Sequence, residues 1–391
     1  MKKKILFVIW SFSLGGGAEK MLSVLTRNLD IDKYEIDILE IENHGYKEKI
    51  GPHTKVLPAF LNPNRDSKLL HNLKWYIFKL FPRLVKKIKT GNKKYDFEIA
   101  FNYLYPVFCI DKDAKTISWN HGSVYNLNHE EKKRERLRKN LKYVNKIVAI
   151  SDKTKNSLIN VYPEYEHKLT LINNGYDFNE IISASKQEIP HKIEADNLIF
   201  LGRIEKAKGV PRLLNIFKEV VRVLPEKKLY LLGTGELDTY TLDYIKKHNL
   251  TSNIIPLGYI NNPYPYISKS AYVIMLSEAE GFPTVFVEGL ALGTGFISTN
   301  VGGVKELSNN NLCGFISDDD SELTHYLITE LSKEKNDRII NGDICKNHVN
   351  KYSISEQIKR FEELLNEIFL VSMSYHDTSK TEKPYHTFIL G

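Results

Sequence analysis

Cysteine is scarce in this chain of 391 residues, which contains only Cys109, Cys313 and Cys345. An odd number of widely spaced cysteines argues against a disulfide framework and favours a reducing compartment. No Cys-x-x-Cys pair or His/Cys cluster indicates a metal site, so we expect neither a metal nor a cofactor. The chain also lacks an internal repeat and any apolar run of roughly 18 residues, the length that a membrane-spanning helix requires.

The amino terminus allows two interpretations. Met1–Lys4 is basic and Ile5–Leu14 is apolar, which resembles a signal peptide. The alternative is a first buried parallel strand. We favour the strand, because the glycines at 15–17 form a turn into a predicted helix over Met21–Leu29.

The most informative stretch lies near residue 280. The apolar run Ala271–Leu276 predicts a buried strand, a turn follows at Gly281 and Pro283, and a helix is predicted to begin near Thr284. Glu280 therefore follows a strand and Glu288 lies in the first turns of a helix. In open α/β sheets ligands bind at this junction, where carboxylates can accept hydrogen bonds from sugar or ribose hydroxyls. The alternative is that Glu280 caps the helix and Glu288 is a solvated helix residue.

A second strand-like run, Asn197–Gly202, leads into Arg203 and Lys208. An arginine fork and a lysine charge together could neutralise a diphosphate, although a surface lysine is usually only solvated. Similar strand and glycine-turn patterns begin at Leu229 and Gly295. The repeated order of strand, glycine turn and helix is typical of a nucleotide-binding α/β sheet.

Taken together, these motifs resemble the donor-binding half of a family 4 glycosyltransferase of the GT-B type. The match covers about residues 198–307, and the chain departs from the family at Gly289 and Gly295, where alanine and proline are usual. We expect Gly295 only to loosen a turn. The resemblance rests on Gly202-Arg203, Lys208-Gly209, Gly-x-Gly-Glu at 233–236, Glu280-Gly-Phe-Pro, Glu288 and Gly302-Gly303.

The resemblance implies an α/β protein of GT-B fold, with two Rossmann-like domains facing a central cleft and a carboxyl-terminal helix crossing back to the first domain. We expect an acceptor-binding domain over 1–175, a donor-binding domain over 176–350, and a crossover helix and tail over 351–391. The helical pattern Ile354–Phe369 is the candidate crossover, and the residues after Ser372 have no predicted structure. Further strands are predicted over Asp96–Asn102, Thr116–Asn120 and Lys146–Ser151, and the resemblance implies that the run Lys168–Gly175 is the bridge between the two domains.

The resemblance also implies a retaining, metal-independent hexosyltransferase that uses a nucleotide-diphosphate sugar, most simply a UDP-sugar. Its acceptor would be a glycan or a lipid-linked glycan of a bacterial surface polysaccharide such as a capsule. The expected catalytic residues are His121, Arg203, Lys208 and Glu280. The expected donor-binding residues are Gly16, Gly17, Gly202, Gly233, Gly281, Phe282, Pro283, Thr284 and Glu288.

Charge is divided unequally along the chain. Residues 1–175 hold 32 Lys and Arg against 19 Asp and Glu, whereas the remainder holds 23 against 29. Lys68–Lys94 contains nine basic residues, no acidic residue and many aromatic and aliphatic ones, so it predicts a helix pair broken near Pro82 that lies on an anionic membrane. The protein would then be cytoplasmic and peripheral on the inner face of the plasma membrane. The expected membrane contacts are Lys74, Trp75, Lys79, Arg83, Lys86, Lys87 and Lys89.

Several alternatives stay open from the sequence. The basic segment could be an amphipathic helix pair docked on the first sheet with a solvated basic face. Binding of nucleic acid is not expected, since no nucleic-acid motif accompanies the charge. A nucleotide-sugar epimerase or hydrolase of the same fold, or a non-catalytic partner subunit of another transferase, would share the motifs. Such a subunit would typically lose the cations or glutamates that this chain keeps.

Overall fold

The computed structural model describes residues 2–14, 16–45, 48–102, 104–122, 124, 130–334 and 337–378, the last with side chains up to residue 370. The chain divides into two compact units. The first contains the chain up to Ile150, Lys155–Asn173 and the residues from Ser355 onward. The second contains Ser151–Thr154 and Asn174–Ile354.

The first unit is built on a seven-stranded parallel sheet. Its strands run in the order β3-β2-β1-β4-β5-β6-β7, and each neighbouring pair is parallel. The fully buried residues of the central strands predict a sheet covered on both faces. The strands are β1 (Lys3–Ile9), β2 (Tyr34–Glu40), β3 (Thr54–Leu57), β4 (Phe97–Phe101), β5 (Thr116–Asn120), β6 (Lys146–Ala149) and β7 (Leu169–Leu171).

The helices of the first unit follow its strands, as a parallel sheet requires of its crossover connections. They are α1 (Gly17–Asn28), α2 (Lys68–Leu80), α3 (Pro82–Thr90), α4 (Tyr105–Cys109), α5 (Glu131–Leu141), α6 (Asp152–Val161) and, from the end of the chain, α15 (Ile354–Thr378).

The second unit is built on a six-stranded parallel sheet with the strand order β10-β9-β8-β11-β12-β13. Its strands are β8 (Leu198–Leu201), β9 (Leu229–Leu232), β10 (Ile254–Gly258), β11 (Tyr272–Met275), β12 (Gly295–Ser298) and β13 (Gly314–Ile316). Its helices are α7 (Phe178–Ala184), α8 (Val210–Val223), α9 (Asp238–Lys247), α10 (Tyr264–Ile267), α11 (Thr284–Ala291), α12 (Val304–Ser308), α13 (Asp320–Leu331) and α14 (Gly342–Val349). The predicted α/β class with two parallel sheets is confirmed.

The apolar run at the amino terminus is a strand of the sheet. β1 pairs with β2 on one side and with β4 on the other, and its residues Ile5–Ile9 are buried. The interpretation as a buried parallel strand is therefore confirmed for these residues. The predicted break near Pro82 is also confirmed, since α2 ends at Leu80 and α3 begins at Pro82, where the missing proline N–H removes no helical hydrogen bond.

Helix α15 packs on the first sheet. Phe361 is fully buried, with its ring centroid 6.3 Å from that of Phe7 and 5.5 Å from that of Trp119. Glu362 accepts hydrogen bonds from the side chains of Lys33 and Tyr34 on the same unit. The predicted return of the last helix to the first domain is confirmed. Most of the unplaced tail after Ser372 lies outside the described residues.

The expectation that Gly295 only loosens a turn is wrong. Gly295 is the first residue of β12, and a Cβ atom there would lie 2.4 Å from Ile340 Cγ2 and 3.1 Å from the Cys313 carbonyl oxygen. The glycine therefore makes room for Ile340. At Gly289, the other departure from the family pattern, a Cβ atom would lie 3.1 Å from the Thr294 carbonyl oxygen and 3.1 Å from Val273 Cγ2.

The basic segment of α2 and α3 has an inner and an outer side. The prediction of a membrane contact is wrong for Lys86, which is 3% exposed and donates to Glu98 (2.5 Å) and Asp111 (2.8 Å). A buried lysine needs such partners because an unpaired charge in the interior is costly. Trp75 also faces inward, since its ring lies 5.5 Å from Trp10 and packs against the core.

Other basic side chains of this segment are held by the protein. Lys74 pairs with Asp66, and Arg83 donates to the Ile110 carbonyl and to Asn140. Lys79 and Lys87 are exposed. Every helix in the described part of the chain is too short or too polar to span a bilayer.

We expect Phe361→Ala to destabilise the protein by about 3–5 kcal/mol, because it removes a buried aromatic ring and leaves a cavity against the first sheet. Leu370→Ala is the control, since Leu370 lies on the same helix and is 66% exposed. Urea unfolding followed by circular dichroism measures both. Equal losses in the two variants would contradict the packing of α15 on this sheet.

Candidate active site

Three charged residues follow neighbouring strands of the second sheet. Arg203 and Lys208 come after β8, and Glu280 comes after β11. The chain passes from β8 to β9 on one side and returns to β11 on the other. The carboxyl ends of β8 and β11 therefore flank the point where the strand order reverses, which is where open α/β sheets bind ligands.

Glycine is required at two turns of this edge. Gly209 adopts φ +72° just before α8, and a Cβ atom there would lie 1.9 Å from the Leu276 carbonyl oxygen. Gly233 adopts φ +141° after β9, and its Cβ atom would lie 1.9 Å from the Gly202 carbonyl oxygen. Any other residue would meet both backbone strain and a clash. These glycines bring the turns after β8, β9 and β11 into direct contact.

Lys208 and Glu280 form an ion pair across this edge. The Lys208 Nζ donates to Glu280 Oε1 at 2.7 Å, and the Ser277 hydroxyl donates to the same oxygen at 2.8 Å. Both charged side chains are mostly buried, with 22% and 13% of their surface exposed. The alternative that Glu280 caps α11 is wrong, since the capping residue is Pro283 and no side chain caps this helix.

Arg203 behaves differently from Lys208. Its side chain is 74% exposed and pairs with Glu205 at 2.9 Å. It borders a cavity of about 300 Å³ at the carboxyl ends of β8 and β9. The predicted residues Gly202 and Gly233 line the same cavity, together with Leu201, Leu232 and Tyr259.

Glu288 lies inside α11 and is only 3% exposed, so the alternative of a solvated helix residue is wrong. The Tyr264 hydroxyl donates to Glu288 Oε1 at 3.3 Å. The predicted residues before it form the junction: Phe282 is buried against Tyr352, with ring centroids 5.3 Å apart. Pro283 caps α11, and Thr284 is its first residue. Gly281 precedes them, and its carbonyl oxygen lies 2.7 Å from a Cβ built on Gly302.

The first unit holds the remaining predicted site residues. Gly16 precedes α1, and a Cβ there would lie 2.5 Å from Glu19 Oε2. A Cβ on Gly17 would meet nothing within 4 Å, so packing within the described protein does not demand a glycine at this position.

His121 directly follows β5 and packs its ring 4.3 Å from Phe101 and 6.4 Å from Trp119. The residue is partly exposed, but its Nε2 atom is buried and has no hydrogen-bond partner among the described residues. Burial lowers the pKa of His121 to about 3. The imidazole is therefore neutral at physiological pH, which suits it to hydrogen bonding and not to holding a positive charge.

Sequence reasoning missed three residues that contact the predicted ones: Ser277, which holds Glu280; Glu205, which pairs with Arg203; and Tyr264, which holds Glu288. Ser277 and Glu205 lie within three residues of their partners, so the local motif contained a signal for them. Tyr264 lies 24 residues before Glu288. No local pattern indicates that contact.

Two family models match the chain, one for each half. The model described as Glycosyltransferase Family 4 matches residues 15–180, and the model described as Glycosyl transferases group 1 matches residues 182–343.

Curated relatives include a Campylobacter jejuni enzyme described as N-acetylgalactosamine-N,N'-diacetylbacillosaminyl-diphospho-undecaprenol 4-alpha-N-acetylgalactosaminyltransferase. It is 30% identical over 43% of this chain and 46% of the relative. The capsular polysaccharide biosynthesis glycosyltransferase CapM of Staphylococcus aureus is 29% identical over 44% of this chain and 47% of the relative. The chain thus matches less than half the length of these relatives.

Solved structures share the fold over nearly the whole chain. Anabaena Alr3699/HepE in complex with UDP and glucose has a TM-score of 0.72 and 16% identity, over 93% of this chain and 99% of that one. The lipopolysaccharide outer core galactosyltransferase WaaB has a TM-score of 0.68 and 18% identity, over 94% of this chain and 99% of that one. At this identity the likeness shows the GT-B fold alone.

The neutral His121 predicts a pH-dependent stability. Its pKa in the folded protein lies below the value of about 6.5 expected when unfolded, so the unfolded chain binds the extra proton between these values. The free energy of unfolding is therefore unaffected by this group above about pH 6.5. It decreases as the pH falls below that value, by at most about 1.4 kcal/mol per pH unit.

We therefore expect His121→Asn to lose less thermal stability than the wild type between about pH 7 and pH 5. His191→Gln, a substitution at an exposed position, is the matched control. Thermal midpoints at several pH values measure the difference, and parallel curves for wild type and His121→Asn would contradict a buried neutral imidazole.

Proposed function

The chain belongs to the family 4 glycosyltransferases of GT-B fold, and from this we propose that it transfers a hexose from a nucleotide-diphosphate sugar to a glycan or lipid-linked acceptor. The observation that carries the proposal is the Lys208–Glu280 ion pair at the carboxyl ends of the second sheet's strands, with the exposed Arg203 in the same connection from β8 to α8 as Lys208. This edge combines cations for a diphosphate with a carboxylate for sugar hydroxyls. UDP is the proposed nucleotide, and UDP is present in the structurally similar Anabaena protein.

The two cations would act on the leaving group. As the bond between the sugar and the diphosphate breaks, negative charge develops on the diphosphate, and cations already in position stabilise the transition state. Lys208 is held by Glu280, whereas the mostly exposed Arg203 would exchange its pairing with Glu205 for a phosphate. Helix α8, which begins after Gly209, adds the positive end of its dipole.

The carboxylates of Glu280 and Glu288 would bind different parts of the nucleotide-sugar donor. Glu280 would accept hydrogen bonds from the hydroxyls of the transferred sugar, and Glu288 from those of the ribose. The cavity of about 300 Å³ beside Gly202 and Gly233 would receive part of the nucleoside. In the first unit, neutral His121 would serve as a hydrogen-bonding residue toward a ligand of that unit, and the open space at Gly17 would admit a ligand close to the backbone.

Transfer is proposed to be metal-independent and to retain the anomeric configuration. The carboxylate nearest the proposed diphosphate, Glu280, is already neutralised by Lys208, so a lysine fills the role that a divalent cation has in other transferases. Retention is inferred from family membership.

The acceptor side is proposed to face an anionic membrane, with the protein on its cytoplasmic surface. The segment of helices α2 and α3 exposes nine large apolar side chains close together in the sequence, and clustered exposed apolar residues mark interaction sites. These side chains are Leu69, Leu70, Leu73, Tyr76, Ile77, Leu80, Phe81, Leu84 and Ile88, each between 38% and 83% exposed.

Basic residues border this surface. Lys68, Lys79 and Lys87 are exposed on the same two helices. The basic helix α5 lies beside them, because Arg136 donates to the Lys79 carbonyl and Arg83 donates to Asn140. An apolar face within a basic border fits an anionic bilayer, where each basic residue near the surface contributes about 1 kcal/mol. Such a location suits a lipid-linked acceptor of surface polysaccharide synthesis.

We expect Lys208→Ala and Arg203→Ala to lower kcat by about 10²–10³, with a smaller effect on donor binding, because the charge they oppose grows in the transition state. Lys206→Ala is the matched control, since Lys206 is exposed in the same short turn. The assay measures UDP release from UDP-hexoses with bacterial lipid extract as acceptor, in EDTA.

The wild type should keep its turnover in EDTA. Product analysis without acceptor separates transfer from hydrolysis or epimerisation, and thermal midpoints identify variants that fail to fold. Near-normal turnover in both Lys208→Ala and Arg203→Ala would contradict the assignment of these residues to the diphosphate site.

We expect the protein to sediment with anionic phosphatidylglycerol vesicles and to sediment less with neutral phosphatidylcholine vesicles. Binding should also weaken as added salt shortens the Debye length below about 8 Å, its value at physiological ionic strength. Lys79→Glu with Lys87→Glu should weaken sedimentation, as should Leu73→Ser with Ile88→Ser. The control is Lys246→Glu with Lys247→Glu, which reverses two exposed charges on α9 of the second unit. A wild-type protein that stays in the supernatant at low salt would overturn the membrane proposal.

A further inference from the structure

A buried carboxylate lies at the carboxyl end of a strand in the first sheet. Glu40 is the last residue of β2 and is only 4% exposed. Its Oε2 atom accepts hydrogen bonds from the Phe12 backbone N–H at 3.0 Å and from the Ser13 hydroxyl at 2.8 Å. Its Oε1 atom accepts from Asn43 Nδ2 at 2.5 Å. All three donors are uncharged groups, so hydrogen bonds hold this carboxylate in the interior.

These donors belong to the two loops that leave neighbouring strands. Phe12 and Ser13 lie in the loop between β1 and α1, whereas Asn43 lies beyond the end of β2. The same loops are joined a second time, because the His44 backbone N–H donates to the Ser13 hydroxyl oxygen at 2.7 Å. A continuous chain of hydrogen bonds therefore runs from His44 through Ser13 to Glu40.

The loop between β1 and α1 depends on side chains for its conformation. The Trp10 carbonyl still accepts hydrogen bonds from backbone N–H groups of the segment after β2. Further along, the Phe12 N–H donates to Glu40, and the Ser13 N–H donates to the Ser11 hydroxyl at 3.2 Å. Because buried backbone N–H groups need partners, Glu40 serves this loop as a sheet neighbour serves a strand.

The charge of Glu40 favours a role in geometry over a role in stability alone. A buried charge is costly unless its surroundings compensate it, and a neutral side chain of the same size avoids that cost. Hydrogen bonds to a carboxylate are, however, shorter and about twice as strong as those between neutral groups. A carboxylate at this position therefore fixes its three donors more firmly than a neutral acceptor would.

The loop held by Glu40 leads to the candidate ligand contacts of the first unit. β1 and β4 flank the point where the strand order of the first sheet reverses, and ligands of open α/β sheets bind at such points. The loop ends at Gly16 and Gly17, where α1 begins without a side-chain cap, and a Cβ on Gly17 would meet nothing within 4 Å. A displacement of about 1 Å at a reacting centre can slow a reaction about a hundredfold.

We propose that Glu40 is a positioning residue for the transfer reaction, which holds the β1–α1 loop so that the backbone at Gly16 and Gly17 meets its ligand in the reactive geometry. The proposal rests on the proposed function, in which a ligand approaches this backbone. Glu40 does not touch the ligand and acts through Phe12 and Ser13.

The test is the substitution Glu40→Gln, which conserves the volume of the side chain. Glutamine keeps one acceptor oxygen and replaces the other by an NH2 group, so the donors on one side lose their acceptor. For transfer from a UDP-hexose to bacterial lipid extract, we expect kcat to fall about 10- to 100-fold. The affinity for UDP, measured by isothermal titration calorimetry, should be unchanged, because the proposed nucleotide site lies in the second unit. A merely structural defect would not separate these two quantities.

A second substitution should restore the rate. In Glu40→Gln combined with Asn43→Asp, the new NH2 group at position 40 faces a carboxylate that can accept from it, and the remaining oxygen still accepts from Phe12 and Ser13. We expect kcat to return close to the wild-type value. Ser13→Ala is the milder variant if Glu40→Gln does not fold. It removes one donor to Glu40 and should lower kcat about tenfold with UDP affinity retained.

Glu98→Gln is the matched control at the opposite end of the same sheet. Glu98 is 3% exposed, and its carboxylate accepts from Lys86 Nζ at 2.5 Å and from the Asp111 N–H at 2.7 Å. It is the second residue of β4 and so lies near the amino end of that strand. This variant should have a lower thermal midpoint and keep the wild-type kcat.

The outcomes separate the two proposals. Wild-type kcat in both Glu40→Gln and Ser13→Ala, or an equal loss of kcat in Glu98→Gln, would overturn the positioning role and leave the proposed function standing. A parallel loss of UDP affinity in folded Glu40→Gln would overturn it as well. If the wild type binds none of UDP, GDP and ADP and transfers no hexose, the proposed function and the positioning role fall together.

Discussion

A parallel sheet buried on both faces leaves only the ends of its strands for polar chemistry. In the second unit every residue of β8, β9, β11 and β12 is buried, so charged groups cannot lie along these strands. The candidate catalytic groups are confined to the turns that follow them. Those turns must pass within contact of one another, and this explains why Gly209 and Gly233 adopt backbone conformations that place a Cβ position against a neighbouring carbonyl oxygen.

Burial also determines how charge is arranged at this edge. The mostly buried Lys208 and Glu280 neutralise each other, and the deeper Glu288 accepts a hydrogen bond from the Tyr264 hydroxyl. Lys86 follows the same rule for a structural purpose, since it is buried between Glu98 and Asp111. Because an unpaired buried charge is costly, a partner by itself does not distinguish function from structure. The position of the pair distinguishes the two cases. Lys208 and Glu280 lie at the carboxyl ends of the sheet's strands, where ligands bind, whereas Lys86 lies in the body of a helix.

The parts that the sequence predicted best are those that local chemistry controls. The predicted strand Thr116–Asn120 has the same bounds as β5, and the predicted helix start near Thr284 is the start of α11. The bounds of these elements are predicted by apolar runs and by the glycine and proline residues that end them, all within a few residues of sequence. The errors concern which side of an element faces inward. Lys86 and Trp75 were predicted to contact a membrane because the segment of 68–94 is basic and aromatic, yet both side chains pack inward.

By itself the sequence determined the order of strands and helices, the glycine turns, and the two carboxylates at the β11–α11 junction, because each depends on backbone preferences and hydrophobic periodicity over a short stretch. The tertiary structure alone decided the partners of those groups. Lys208 meets Glu280 across 72 residues, Tyr264 meets Glu288 across 24, and Phe361 reaches Phe7 from the other end of the chain. Such contacts depend on which strands are neighbours in a sheet and on which helix face is buried. Both are settled by packing over the whole domain, and no local pattern of residues contains them.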